Sequence, residues 1–105
     1  MIQEDEELVN MIHRFFQLLE TMDDTNDSFP DFRIFLKQLL RTKHSKISLP
    51  VIEMITLVKR DKPNLYRYLK EIGRTDLNVS IIVGTTMPVE EAEQRLAQLL
   101  DRLEK

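Results

Sequence analysis

Three times the chain places a hydroxyl residue, an apolar residue and a proline in a row: Ser28-Phe29-Pro30, Ser48-Leu49-Pro50 and Thr86-Met87-Pro88. A hydroxyl can accept a backbone N–H at a helix start, and a proline in the first turn lacks only a donor that would go unpaired there. Each triplet therefore marks a helix start. Asp31, three residues after Ser28, adds a capping-box-like acid to the first of them. All-β domains need many glycine-rich turns, and this chain has two glycines, so the fold class is mainly α. A length of 105 residues suits a single domain spanning 1–105.

Hydrophobic periodicity fills the intervals between these marks. Residues 4–22 carry Leu8, Met11, Ile12, Phe15, Phe16, Leu18, Leu19 and Met22 at the three-and-four spacing of a helix with a wide apolar face. Glu4, Asp5, Glu6 and Glu7 open this acidic N-terminal helix, where carboxylates complement the helix dipole. Asp23, Asp24, Thr25, Asn26, Asp27 and Ser28 form a polar stop. It is not a calcium loop, since the position needing a bidentate glutamate falls on Ile34 or Phe35. A second helix over 29–42 buries Phe29, Phe32, Phe35, Leu36, Leu39 and Leu40 and shows Arg33, Lys37 and Arg41 on another face.

Two short helices, 49–60 and 63–72, come next, with Pro63 at the first position of the second and Asp61 or Lys62 placed to cap it. Gly73 reads as a left-handed cap. Residues 77–83 alternate apolar and polar side chains and are rich in β-branching, which predicts one short strand. A lone strand must pair, either with a short bridge at Ile47 or with its copy in a second subunit, an indirect pointer to a homodimer. The last amphipathic helix, within 87–105, sets Val89, Ala92, Leu96, Leu99 and Leu103 in a coiled-coil-like seam. That seam can pack on the first helix of the same chain or on a partner. About five helices and one strand result.

Charge is distributed unevenly along this plan. Residues 1–32 hold nine acids and one base, 33–74 hold eleven bases and three acids, and 75–105 hold six acids and three bases, for a net charge of -3. The near-neutral total hides a basic core segment, 29–83. Such an excess attracts phosphates if it gathers on one open face, and is silent if the acidic first helix satisfies it. The absence of cysteine excludes disulfide frameworks, thiolate zinc sites and cysteine nucleophiles. The acidic start MIQEDEEL is unlike a signal peptide and no apolar run reaches membrane-spanning length, so a cytoplasmic protein without membrane contact is expected.

Within residues 49–73, Lys59, Arg60 and Lys62 fill the turn, and Lys62, Tyr66, Arg67 and Lys70 lie opposite the greasy Leu65, Leu69 and Ile72. This stretch resembles the helix-turn-helix of winged-helix transcriptional regulators, whose recognition helices read like the segment Lys62-Pro63-Asn64-Leu65-Tyr66-Arg67-Tyr68-Leu69-Lys70. The resemblance implies a helix-turn-helix-like pair, a minimal winged helix once strand 77–83 is added, and a small regulator reading duplex DNA with helix 63–72. It would place Tyr66, Arg67 and Lys70 near bases. Lys43, Lys46, Lys59, Arg60 and Lys62 would supply phosphate attraction. Departures from the family are Ile55 where its first helix has a small residue, Lys59-Arg60-Asp61-Lys62 where its turn has a glycine and an apolar anchor, and no second wing strand before the last helix.

Catalysis needs side chains converging at one place, and the sequence offers no such set. His13 and His44 lack metal-ligand spacing, and Gly73 and Gly84 are isolated, so no enzyme activity, metal or cofactor is expected. The other expectation is a helical protein-interaction module, such as an adaptor, inhibitor or immunity-type protein, without nucleic-acid binding. An RNA-binding bundle using the same basic face is a third. Tyr68, one residue from Leu69, reads as a core-edge residue with its hydroxyl in water, not as a stacking platform.

Overall fold

The first helix, α1 (Gln3–Thr21), begins in acids and ends where the polar run after Met22 offers no further apolar step. In the computed structural model, residues 3–42, 48–73, 75 and 87–104 are described, with side chains from residue 5 onward. Four more helices follow: α2 (Phe29–Arg41), α3 (Val51–Asp61), α4 (Pro63–Gly73) and α5 (Val89–Glu104). Among the described residues there is no strand. The strand expected over 77–83 and the bridge at Ile47 lie outside them. No helix among the described residues is long and apolar enough to cross a membrane.

α3 is the axis of the bundle, packed against α5, α4 and α1, and α1 in turn packs on α5 and α2. Its sequence explains that position: Val51, Met54, Ile55, Leu57 and Val58 are all buried, so it has apolar surface for three neighbours. The core runs from Leu8, Ile12 and Phe15 of α1 through Phe32, Phe35 and Leu39 of α2 to Leu65 and Leu69 of α4 and Leu96 of α5, each at 0% exposure. Phe15 meets Phe32 edge-on at 6.2 Å and stacks on Phe35 at 6.3 Å, an aromatic knot between α1 and α2. His13 and Glu104, 3.0 Å apart, tie α1 to the far end of α5, and Phe16, Leu19 and Glu20 line a groove with Glu93, Ala97 and Leu100, so the two helices run antiparallel.

The triplets mark two starts later than expected. Ser28 is the residue before α2, but its hydroxyl makes no capping bond, and Pro30 occupies the first turn. Pro50, not Ser48, precedes α3, and α3 and α5 begin at Val51 and Val89 instead of at 49 and 87. A residue before proline is pushed away from helical dihedrals, which keeps Leu49 and Met87 outside their helices. Phe29 precedes Pro30 and is nonetheless the first residue of α2, its ring buried against Tyr68 with centroids 5.2 Å apart.

α5 enters the bundle through a buried hydroxyl. Thr56, 4% exposed, donates to the Ile52 carbonyl at 2.8 Å and accepts the Met87 N–H at 3.2 Å. Both sides of the hydroxyl are satisfied, as burial requires. Nothing in its sequence context, an apolar helix, distinguishes this residue.

Candidate functional site

α3 and α4 are joined by one non-helical residue. The Lys62 N–H closes α3 on the Val58 carbonyl at 2.7 Å, and its own carbonyl opens α4 by accepting the Tyr66 N–H at 3.0 Å. A helix-turn-helix connection has three to four residues. With Pro63 next, this corner leaves the first turn of α4 without a local side-chain acceptor.

The acceptor comes from the loop between α1 and α2. Asp24 Oδ2 accepts the Asn64 N–H at 3.1 Å and Asp24 Oδ1 accepts the Leu65 N–H at 2.9 Å, while the Asn64 amide donates to the Asp24 carbonyl oxygen at 3.3 Å. The expected cap by Asp61 or Lys62 is therefore replaced by a carboxylate some forty positions earlier. Asp61 is committed elsewhere, and a lysine has no acceptor to give. Charge and geometry both favour this seat, since the helix N-terminus presents unpaired N–H groups and positive potential. Among the described residues no three histidine, aspartate or glutamate side chains come together as metal ligands would.

The expected nucleic-acid contacts are divided among several environments. Lys43 and Lys46 lie outside the described residues. Arg60 forks onto Asp61, with Nε donating to Oδ1 at 2.6 Å and Nη2 to Oδ2 at 3.0 Å, and its Nη1 donates to Glu93 of α5. The Asp61 hydrogen bond raises the Arg60 pKa above its ordinary value, and the same bond holds the Asp61 carboxyl below the usual carboxylate range. One exposed guanidinium thus answers two carboxylates of the same chain.

Lys59 and Lys70 place their ammonium groups over the half-buried Tyr66 ring, 5.4 and 5.7 Å from its centroid. The Tyr66 ring already holds two cations. Arg67 is exposed, and it lines a cleft of about 600 Å³ with Asp24, Asn64, Tyr68 and Glu71. Tyr68 is half-buried on Phe29. Lys59, Arg67 and Lys70 are each exposed, Lys59 and Lys70 around the Tyr66 ring and Arg67 in the cleft that the acid Asp24 also lines.

The seam proposed for a dimer is used inside the chain. Ala92, Leu96, Leu99 and Leu103 are buried and Val89 is half-buried, because α5 lies across α3 and α1.

A second surface was not anticipated from the pattern. Between α1, α3 and α5 runs a groove of about 610 Å³, floored by Phe16, Leu19, Leu57, Ala97 and Leu100 and rimmed by Glu20, Arg60, Asp61 and Glu93. Phe16 keeps 37% of its surface exposed there. The available signal was the adjacent Phe15 and Phe16: a helix face carrying both is wider than one neighbour can cover.

Half-buried Glu53 at the start of α3 completes the titratable set: burial pushes its carboxyl up, while its own backbone N–H and Arg95 pull the other way. No protein-family model, curated protein or solved structure matches the chain.

Proposed function

We propose that this chain is a helical protein-interaction module, an adaptor or inhibitor that works by docking and not by chemistry. The observation that carries this reading is the seat of Asp24 on the first turn of α4. In a helix-turn-helix the N-terminal residues of the recognition helix approach base edges between two rows of phosphates. Here that end of the helix is held by an acidic loop, whose carboxylates oppose a polyanion. Arg60 also faces Asp61 and Glu93, two acids beside it that weaken its pull on a phosphate. A chain without cysteine suits the reducing cytoplasm, where a docking module of this kind would act.

Duplex DNA binding is the second reading, favoured by the exposed Lys59, Arg67 and Lys70. The two are separated by placing a photo-crosslinking amino acid at Phe16, Ala97, Arg67 or Lys70 in the cells of origin. A protein-interaction module gives a discrete protein adduct from at least one position, unchanged by nuclease. Adducts confined to Arg67 and Lys70 and lost on nuclease treatment would replace it with the DNA reading.

A further inference from the structure

We propose that the groove between α1, α3 and α5 docks an amphipathic helix of a partner protein, with apolar anchors along one face and basic residues on its flanks. This rests on the interaction-module reading and names the surface and the chemistry of its partner. The floor is apolar and drawn from three helices: Phe16 and Leu19, Leu57, and Ala97 with Leu100. Leu19 and Leu57 belong to the buried core and form the base of the groove, Leu100 is half-buried, and Phe16 is the one large apolar side chain exposed over them. Phe16 is held edge-on by Phe15 at 5.5 Å with over a third of its surface exposed.

The dimensions suit one helix. Along α5 the lining residues Glu93, Ala97 and Leu100 recur at helical spacing, and at 1.5 Å per residue they span about 10 Å. Along α1, Phe16 and Glu20 are one turn apart. The apolar floor itself, Phe16 to Leu19 on α1 and Ala97 to Leu100 on α5, is about one turn long, so it takes apolar anchors one turn apart on a guest helix, with Glu93 at the end of the trough. Ala97 is exposed and small, so a guest backbone can lie close over it.

Charge selects the flanks. The rim carries three carboxylates and one guanidinium, an excess of two negative charges; Arg60 bonds Asp61 and Glu93, and Glu20 is the rim carboxylate outside that cluster. An apolar helix with lysine or arginine beside its anchors complements that rim, and one with acidic flanks is repelled.

The test is a titration of the full chain with two labelled, stapled peptides that share leucine anchors at helical spacing, one flanked by lysines and the other by glutamates. The lysine peptide is expected to bind about tenfold or more tighter than its acidic counterpart, since several partly exposed pairs contribute together. Glu20→Lys should narrow that gap, and Ala97→Arg should abolish saturable binding while leaving the circular dichroism of the bundle unchanged. Equal affinity for the two peptides, no saturable binding of the lysine peptide, or wild-type binding by Ala97→Arg would each overturn the groove proposal. A dimer of the chain alone that dissociates in Ala97→Arg would overturn it too, assigning the groove to a second copy. Protein adducts from Lys70 with no peptide binding would remove the groove and keep the interaction module. The absence of protein adducts from every position would remove the reading beneath both.

Discussion

Replacing Asp24 by alanine withdraws two acceptors from the first turn of α4 without touching the core. The Asn64 bond is exposed and water can replace the carboxylate there, but the Leu65 bond is part-buried and its replacement is poorer. Loss of a capping side chain costs about 0.5–2 kcal/mol, and loss of a carboxylate from a helix N-terminus adds about 0.3–1 kcal/mol. Because the third contact, from the Asn64 amide to the Asp24 carbonyl oxygen, survives the substitution, the cost should fall near the middle of that range. We expect Asp24→Ala to lower stability by about 1–2 kcal/mol, which in urea, at a slope of about 2 kcal/mol per M, moves the midpoint down by about 0.5–1 M. Asp24→Asn keeps one of the two acceptor oxygens and loses the charge, and should fall between the parent and the alanine variant. Urea unfolding followed by circular dichroism reads both, and hydrogen exchange at Asn64 and Leu65 should quicken in the alanine variant. A midpoint within error of the parent, with exchange at Leu65 unchanged, would refute the long-range cap.

Thr56→Val should destabilise by about 1–3 kcal/mol, because the Met87 N–H loses its acceptor in a part-buried place, whereas Thr56→Ser should cost less. Thermal unfolding of the two variants checks the order. Leu96→Ala should cost about 2–5 kcal/mol, as cavities in a packed core do. Because the residue is fully buried within the single chain, the cost should not depend on protein concentration, a point that denaturation at two concentrations decides. Glu53 has a raised pKa, so its charged form is disfavoured by folding, and its contribution worsens as pH rises from the ordinary glutamate range through the folded value. Glu53→Gln should therefore gain stability relative to the parent at neutral pH and lose that advantage in acid. Asp61 has the opposite sign, stabilising above the ordinary carboxylate range and losing this as pH falls through its depressed value, so Asp61→Asn should flatten the acid limb.

Local patterns were legible in the sequence, and contacts distant along the chain were not. The period of apolar residues set α1, α2 and α4 to within a residue or two of Gln3–Thr21, Phe29–Arg41 and Pro63–Gly73, because each has a single dominant buried face. Proline sharpened the boundaries but shifted two of them, since Pro50 precedes α3 instead of lying in its first turn. The seam Ala92, Leu96, Leu99 and Leu103 was recognisable as apolar, yet spacing alone cannot tell an internal neighbour from a second chain. Asp24 looked like one turn residue among several, and only the approach of its loop to Asn64 and Leu65 makes it the cap of a distant helix. The same holds for Arg60: on its own helix it is one of several turn cations, and Glu93 reaches it only once α5 lies on α3. Charge runs are readable as a sum, whereas their availability to a ligand depends on these long-range pairings.

The most direct test of an interaction module against a duplex reader is fluorescence anisotropy of a labelled mixed-sequence duplex titrated with the full chain at low salt. Non-specific duplex binders reach dissociation constants of about 10⁻⁴–10⁻⁶ M even at physiological salt, and bind more tightly as salt falls. With an acidic loop on the end of α4 and Arg60 flanked by Asp61 and Glu93, the chain is expected to give no saturable rise in anisotropy up to about 100 μM, at the weak end of that range. A saturable rise at micromolar or lower concentration, falling steeply with added salt and weakened by Arg67→Ala, would contradict the account.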